Sequence, residues 1–168
     1  MPQHALPFRR HNHQHCIADA LAAARALAKA RGLRLTLQRE QVLRLIWQNH
    51  KPVGAYQLME QLAELTGKQV APPTVYRALE FLLEHRLIHR LNSLNAFIGC
   101  ACPDTGHAGQ FVICRACGIA LELNEASVRV PIQALAQSVG FQIEQQTLEL
   151  SGLCPNCQTA DAITEEPS

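Results

Sequence analysis

The 168-residue sequence predicts an α+β protein with two small domains. Between residues 17 and 85 the apolar residues recur at helical spacing, whereas from residue 87 onward much of the chain has the spacing of extended strands. Charge divides the chain at nearly the same place. Residues 1–90 carry 13 Lys and Arg against 6 Asp and Glu, a balance of +7, and residues 91–168 carry 2 against 8, a balance of −6. A basic first half favours binding to nucleic acid.

The composition, with 48% hydrophobic and 17% charged residues, is that of an ordinary globular protein. The most apolar segment, residues 17–30, is interrupted by Asp19, Arg25 and Lys29, so we expect no membrane-spanning helix. We also expect no secretory signal, because no apolar run with a cleavage site follows the first residues. These expectations place the protein in the reducing cytoplasm, where seven cysteines require a role other than disulfide bonding.

We expect residues 1–16 to form a flexible tail, because they lack hydrophobic periodicity. The segment is rich in potential metal ligands, which are His4, His11, His13, His15 and Cys16. A loosely bound metal is therefore an alternative to a solvated tail, although no predicted secondary structure holds these side chains together.

Four helices are predicted between this tail and residue 85. Gly32 is a natural end for the first helix, Thr36 is a suitable N-cap for the second, and Pro72 suits the first turn of the fourth. The predicted bounds are 17–31, 37–50, 55–66 and 72–85. A succession of short helices of this kind is typical of a helix-turn-helix domain.

The residues after the fourth helix predict a β-hairpin. Two extended segments, residues 87–91 and 95–99, flank a polar turn at Asn92 and Ser93. A hairpin in this position is typical of the wing of a winged helix. We therefore predict a winged helix-turn-helix DNA-binding domain over residues 17–99.

A small α/β domain is predicted over residues 100–158. Its strands are expected at residues 110–114, 119–123 and 141–150, and its helix at residues 126–139. Residues 159–168 are polar and acidic, and we expect them to be a disordered tail.

Two Cys-x-x-Cys pairs are the strongest chemical signal in the sequence, Cys114 with Cys117 and Cys154 with Cys157. Each pair places two thiolates on a tight turn, and four thiolates complete the tetrahedral shell of a zinc ion. A shell without an open position is structural, so this ion would join the beginning of the second domain to its end. Two disulfide bonds are the alternative, which a reducing compartment disfavours.

A second group of potential ligands surrounds the domain junction. It comprises His89, Cys100, His107 and Glu122. One thiolate and one carboxylate would neutralise a divalent cation, and the thiolate favours zinc over ions that prefer oxygen. Cys102 competes with Cys100 for this role, and each of the four residues also suits an ordinary structural position.

The fourth helix has an apolar face and a polar face. Tyr76 and Arg77 lie on the polar face, and Thr74 lies in the first turn. Arg77 suits a bidentate contact to guanine or phosphate, Tyr76 a contact to a thymine methyl or phosphate, and the first turn around Thr74 a phosphate. A solvated polar face is the alternative, but the basic charge of the domain favours DNA.

Three parts of the sequence resemble the ferric uptake regulator superfamily. The string APPTVYRALEFLLE at residues 71–84 is the most specific, and LTLQR at residues 35–39 precedes it. The third part, FVICRACG at residues 111–118, is completed by GLCPNC at residues 152–157. The resemblance covers residues 20–158 and is strongest to the zinc uptake regulators, which are bacterial zinc-responsive transcriptional repressors.

This resemblance implies a homodimer, formed by the second domain, that binds a palindromic operator in double-stranded DNA through Tyr76 and Arg77. It implies two zinc ions per subunit, a structural ion on the two cysteine pairs and a regulatory ion. The regulatory ligands would be His89, Cys100, His107 and Glu122. Zinc would act as co-repressor of zinc uptake genes by fixing the orientation of the two domains. We expect no membrane contact, small-molecule substrate or catalytic activity, because the four-cysteine shell is closed.

An iron- or peroxide-responsive regulator of the same superfamily is the alternative. The iron-responsive branch has a His-rich run shortly before the first Cys-x-x-Cys pair, whereas residues 105–110 here contain the single histidine His107. This departure favours zinc. The histidines of the tail and Cys102 have no counterpart in the resemblance, so a further weak metal site stays open.

Overall fold

The computed structural model describes residues 12–103, 109–123, 126–144 and 146–162. The elements in chain order are α1 His13–Ala30, α2 Leu37–Ile46, β1 Val53–Gly54, α3 Ala55–Thr66, α4 Pro72–Glu84, β2 Ile88–Leu91, β3 Ala96–Gly99, β4 Gly109–Cys114, β5 Ala120–Glu122, α5 Ala126–Ser138, β6 Thr147–Gly152 and α6 Pro155–Ala162. This mixture of helices and sheets confirms the predicted α+β class. Among the described residues, none of the helices combines the length and apolar character needed to cross a membrane.

Helices α1 to α4 pack around one apolar core. Each helix buries an apolar stripe in it, represented by Leu21, Leu43, Leu62 and Leu82. Full burial of such a side chain is worth about 1.5–3 kcal/mol of transfer free energy. Thr36 caps α2 as predicted, because its Oγ1 accepts a hydrogen bond from the N–H of Arg39 at 3.4 Å.

The first sheet has the strand order β1-β3-β2 and is antiparallel. Strands β2 and β3 form the predicted wing, with Ile88 opposite Gly99 and Leu91 opposite Ala96. Strand β1 pairs with β3 immediately before α3. The sequence did not predict β1, because two residues are too few to show a periodic pattern.

The second sheet has the order β5-β4-β6, with β4 antiparallel to β5 and parallel to β6. Phe111 at its centre is opposite Glu122 on β5 and opposite Glu149 on β6. Directly opposed residues in neighbouring strands point to the same face of a sheet. The aromatic ring and both carboxylates therefore share one face.

The wing packs on the second sheet through a small apolar cluster. Leu91 and Ile98 from the wing meet Phe111, Ile113 and Ala120 from β4 and β5, and all five are buried. The two predicted domains are therefore in direct apolar contact.

Helix α1 begins at His13, four residues before the predicted start. Asn12 caps the helix, because its Oδ1 accepts a hydrogen bond from the N–H of Gln14 at 3.1 Å. The expectation that all of residues 1–16 form a flexible tail is therefore wrong for residues 13–16, while residues 1–11 lie outside the described residues. The first turn is polar, so hydrophobic periodicity could not reveal it.

The ends of two other elements differ from the prediction. Helix α2 ends at Ile46 and not at residue 50, because Trp47 has left the helical path and forms the C-cap. Strand β6 begins at Thr147 and not at residue 141. The residues before it were expected to continue the strand, but those that the structure describes, 141–144 and 146, are not paired with another strand.

Helix α6 was not predicted, and it extends into the segment 159–168 that was expected to be disordered. Pro155 occupies the first turn, and the N–H groups of Cys157 and Gln158 each donate to the carbonyl of Cys154 at 3.0 Å. The expectation of disorder is therefore wrong for residues 159–162. The residues beyond 162 lie outside the described part of the chain.

Gly99 ends β3 directly against the indole ring of Trp47. A Cβ at Gly99 would lie 2.2 Å from Cε2 of that ring, a distance at which the ring must move. We expect Gly99→Ala to lower the free energy of unfolding by about 1–3 kcal/mol, because overpacking displaces the ring and strand. Urea unfolding followed by tryptophan fluorescence measures this change.

Gly152→Ala is the matched control for this prediction. Gly152 ends β6 as Gly99 ends β3, but a Cβ there would meet nothing within 4 Å. We expect a change within about 0.5 kcal/mol for the control. Equal destabilisation by the two substitutions would contradict the packing argument.

Candidate functional site

The docked wing places His89 against the second sheet. The ring of His89 on β2 meets Phe111 edge-on, with 5.2 Å between ring centroids and 64° between planes. A glycine, Gly109, lies beside this pair, and a Cβ there would be 2.7 Å from the Phe111 ring. The apolar contact between wing and sheet thus sets the position of the imidazole relative to the second domain.

This docking brings three of the predicted regulatory ligands together. His89 Nε2 lies 2.8 Å from Oε1 of Glu122 on β5, and Cys100 follows directly after β3. The donor atoms of the three residues all lie within 4.8 Å of one another. A zinc ion with ligand distances of about 2.0–2.3 Å would fit this group with small side-chain movements. The donors come from both sides of the contact between wing and second sheet.

Hydrogen bonds and burial fix the positions of Glu122 and Cys100 in this group. The second oxygen of Glu122 accepts the N–H of Ala101 at 3.2 Å, and the N–H of Cys100 donates to the carbonyl of Leu87 at 3.1 Å. Cys100 is only 4% exposed. Burial, with a smaller contribution from the charge of Glu122, raises the pKa of the Cys100 thiol well above its usual range. This sulfur therefore keeps its proton until a cation replaces it.

Cys102 and His107 are the other predicted candidates for this group. Among the described residues, the cluster of donors contains Cys100 and not Cys102. His107 lies outside the described residues, so its place in the group remains a prediction.

Glu149 ties the turn of the wing to the same face of the second sheet. Its carboxylate accepts the N–H of Asn92 at 2.7 Å, the N–H of Ser93 at 3.1 Å, and the hydroxyl of Ser93. Burial alone would raise the pKa of Glu149, but these hydrogen bonds lower it, so the carboxylate is charged at neutral pH. No sequence pattern predicts this role of Glu149, because a single Glu in a strand is not distinctive and its partner Asn92 is 57 positions away.

The two Cys-x-x-Cys pairs meet at the end of the second sheet. The sulfurs of Cys114, Cys117, Cys154 and Cys157 all lie within 4.8 Å of one another. The Sγ atoms of Cys117 and Cys154 are 3.8 Å apart, which equals the edge of about 3.8 Å in a ZnS₄ tetrahedron with Zn–S bonds of about 2.3 Å. None of the four cysteines forms a disulfide bond, so the alternative of two disulfides is wrong for this structure.

The electrostatics of the four sulfurs favour a bound cation. Backbone N–H groups, first that of Cys117 and then that of Cys154 at 3.3 Å, lower the pKa of Cys114 to about 6. The side-chain hydrogen bond with Cys154, together with burial, raises the pKa of Cys157 to about 12. One sulfur is thus held as a thiolate while another is held as a thiol. The charge of a divalent metal ion would offset the repulsion between two neighbouring thiolates, so that Cys114 and Cys157 could both bind the ion as thiolates.

Helix α4 presents the predicted DNA-contacting residues on its outer face. Its inner face is buried through Val75, Ala78, Leu79 and Leu82. Tyr76 is 44% exposed, Arg77 is exposed, and Thr74 is half-buried in the first turn. Tyr56, in the first turn of α3, is a further exposed tyrosine in this domain, with 76% of its side chain accessible. A single tyrosine at a helix start has no sequence signal, and only its exposure singles it out.

The second domain exposes an apolar surface around the end of α5. Leu135 is 70% exposed, Val139 77% and Phe141 68%, and Leu150 on β6 is 49% exposed. Large exposed apolar side chains at the end of one helix, as Leu135, Val139 and Phe141 are here, are typical of protein–protein interfaces. This surface suits the predicted dimerisation through the second domain.

Residues 30–151 match the model of one protein family, described as the ferric uptake regulator family. The chain belongs to this family. A relative within it, the zinc uptake regulation protein of Escherichia coli (strain K12), is 37% identical over 145 residues, which are 86% of this chain and 84% of the relative. The predicted resemblance is therefore confirmed.

Solved structures of family members match the described fold. A zinc uptake regulator complexed with zinc and DNA has a TM-score of 0.81 at 36% identity, covering 87% of this chain and 97% of that one. Holo XcZur has a TM-score of 0.77 at 43% identity, covering 84% and 98%. Apo XcZur, with the same identity and coverage of 84% and 97%, has a TM-score of only 0.50. The backbone of this chain is thus more similar to the holo structure than to the apo structure.

The two groups of donors are expected to respond differently to loss of a sulfur. We expect Cys114→Ser to lose zinc from the four-cysteine group and to unfold the second domain, because structural zinc supplies on the order of 10 kcal/mol of folding free energy. Cys100→Ser should keep that ion and its fold, with a loss of about 1–3 kcal/mol from the altered buried side chain. Zinc content by atomic emission and thermal unfolding by circular dichroism measure both effects. Equal damage from the two substitutions would contradict this division.

Proposed function

We propose that this protein is a zinc-responsive, DNA-binding transcriptional repressor that controls zinc uptake genes, with zinc as co-repressor. The observation that carries the proposal is the group of His89, Cys100 and Glu122, whose donors come from the wing and from the second sheet. A metal on such a group stabilises the docked arrangement of the two domains. The relative from Escherichia coli is named a zinc uptake regulation protein, and another family member was solved with zinc and DNA.

The donor chemistry favours zinc over iron at this group. A buried thiolate with imidazole and carboxylate suits zinc, whereas iron- and peroxide-responsive sites are expected to be richer in oxygen or histidine. We propose two zinc ions per subunit. The structural ion would be held by Cys114, Cys117, Cys154 and Cys157. The regulatory ion would be held by His89, Cys100, His107 and Glu122.

The chain's own residues link zinc to domain orientation. Bound zinc would supply a positive charge that cancels the charges of Cys100 and Glu122. His89 and Cys100 are carried by the wing and its end, and Glu122 by β5, so their common ligand shifts the population toward the docked wing. Glu149 adds hydrogen bonds to the turn of the wing. The described chain is closer to holo than to apo XcZur, which supports this switch.

The docked arrangement suits a dimer on palindromic DNA. We propose that the exposed apolar surface of Leu135, Val139, Phe141 and Leu150 pairs two chains, which then present two copies of α4. Two recognition helices enter successive major grooves when they are about 34 Å apart. Thr74, Tyr76 and Arg77 would contact the DNA, with Tyr56 as a further contact from α3. As a regulator of this family, the protein would act in the cytoplasm on the chromosome and would not be an enzyme.

Zinc-dependent DNA binding is the decisive measurement. We expect the full chain to bind the promoter of its own gene or of a zinc importer gene at least tenfold more tightly with buffered zinc than with a chelator, at matched salt. Fluorescence anisotropy of a labelled duplex measures both affinities. Equal affinity with and without zinc would refute the proposal.

Variants and metal competition separate the function from the ligand assignment. We expect Cys100→Ser to abolish the zinc dependence of DNA binding and Cys102→Ser to retain it. The reverse outcome would make Cys102 the ligand in place of Cys100 and would leave the proposed function unchanged. The protein exposed to equal free zinc and ferrous iron should retain zinc in the regulatory group. Retention of iron there would favour the iron- or peroxide-responsive alternative.

Arg77 tests how α4 contacts DNA. We expect Arg77→Ala to weaken zinc-dependent binding by about 1–3 kcal/mol, roughly 5- to 150-fold, and to relax specificity at one base position if the guanidinium contacts guanine. Arg31→Ala removes the same charge from the end of α1 and should have a much smaller effect. If Arg77 contacts a phosphate instead, Arg77→Ala should weaken binding to all DNA sequences alike. It should also reduce the salt dependence of binding by the release of about one counterion. No difference between the two variants would contradict the placement of α4 on DNA.

A further inference from the structure

A third group of metal-binding side chains lies outside both groups described above. His13, Cys16 and His50 place one donor atom each within 4.8 Å of the others. The rings of the two histidines are 4.6 Å apart between centroids, with 56° between their planes. All three side chains are half-buried. Two imidazoles and a thiol at this separation form a donor set that borderline metals such as zinc prefer.

Local structure holds the three donors in place. Asn12 caps α1, so His13 and Cys16 lie one helical turn apart on the same face. His50 lies in the loop after α2, next to a turn in which Oδ1 of Asn49 accepts the N–H of Lys51 at 2.8 Å. The group thus joins two segments that are more than thirty positions apart in the chain.

We propose that His13, Cys16 and His50 form a further zinc site, with one coordination position open to water or another ligand. One thiolate and two neutral imidazoles leave a bound Zn²⁺ with a net positive charge, whereas four thiolates more than neutralise it. The site should therefore bind zinc more weakly than the four-cysteine group and fill at higher free zinc. This inference is independent of the proposed regulatory function.

The loop that carries His50 also contacts the second domain. The carbonyl of His50 accepts the N–H of Ala120, the first residue of β5, at 3.0 Å. The side chain of the next residue, Lys51, approaches the glycine that follows the first cysteine pair, Gly118. Zinc bound here would therefore fix the beginning of α1 on a loop that touches both the cysteine turn and the strand of Glu122.

Zinc counting on the full-length chain tests the site. Protein is equilibrated with a series of zinc buffers, and bound zinc per chain is measured by atomic emission. We expect His13→Ala, Cys16→Ser and His50→Ala each to bind one zinc fewer than the wild type at high free zinc. His15→Ala, an exposed histidine on the same helical turn that is absent from the group, should bind as many as the wild type. Because only the difference between proteins is used, the result does not depend on the regulatory site.

Cobalt spectra and a tail variant complete the test. At saturating Co²⁺, the thiolate-to-cobalt absorption of Cys16→Ser should be smaller than that of the wild type and of His15→Ala by the contribution of one thiolate. A double variant, His4→Ala with His11→Ala, should keep the extra zinc. The proposal is overturned if the group variants bind as much zinc as the wild type, or if the tail variant alone loses the extra ion. Should Cys16→Ser fail to fold, the two histidine variants decide between these outcomes.

Discussion

Packing of the wing on the second sheet is the interaction that brings His89, Cys100 and Glu122 together. Leu91 and Ile98 cover Phe111, and this apolar contact carries His89 to within 2.8 Å of Glu122. Undocked, the wing would take His89 and Cys100 away from the carboxylate. Since a ligand stabilises the state that presents its binding groups, zinc bound by these three residues would stabilise the docked wing, and the docked wing would favour zinc binding.

A bound metal would have a different effect on each of the two main groups of donors. The four cysteines belong to one domain and join the end of β4 to the start of α6, so a metal there contributes to folding. The donors around Cys100 are divided between wing and second sheet, so a metal there selects a conformation. Their electrostatics differ as well. Backbone N–H groups lower the pKa of Cys114 to about 6, whereas burial raises the pKa of Cys100.

The loop after α2 provides a second contact between the domains. Trp47 lies against Gly99, directly before Cys100, and the carbonyl of His50 accepts a hydrogen bond from β5. The loop therefore touches both the end of the wing and the strand of Glu122. A metal bound by His13, Cys16 and His50 would join the first turn of α1 to this loop, and would therefore also affect the contact between the domains.

The sequence by itself determined the helices of the first domain, the wing hairpin and the two cysteine pairs, because each is encoded by periodicity or spacing within a few residues. It also predicted four potential donors around the junction, but it could not choose between Cys100 and Cys102. Only the tertiary structure decided that Cys100 joins His89 and Glu122, that Glu149 holds the turn of the wing, and that α1 begins early enough to bring Cys16 to His50. The physical reason is the distance along the chain, because these contacts join segments tens of residues apart that come together only through packing within the first domain or between the two domains.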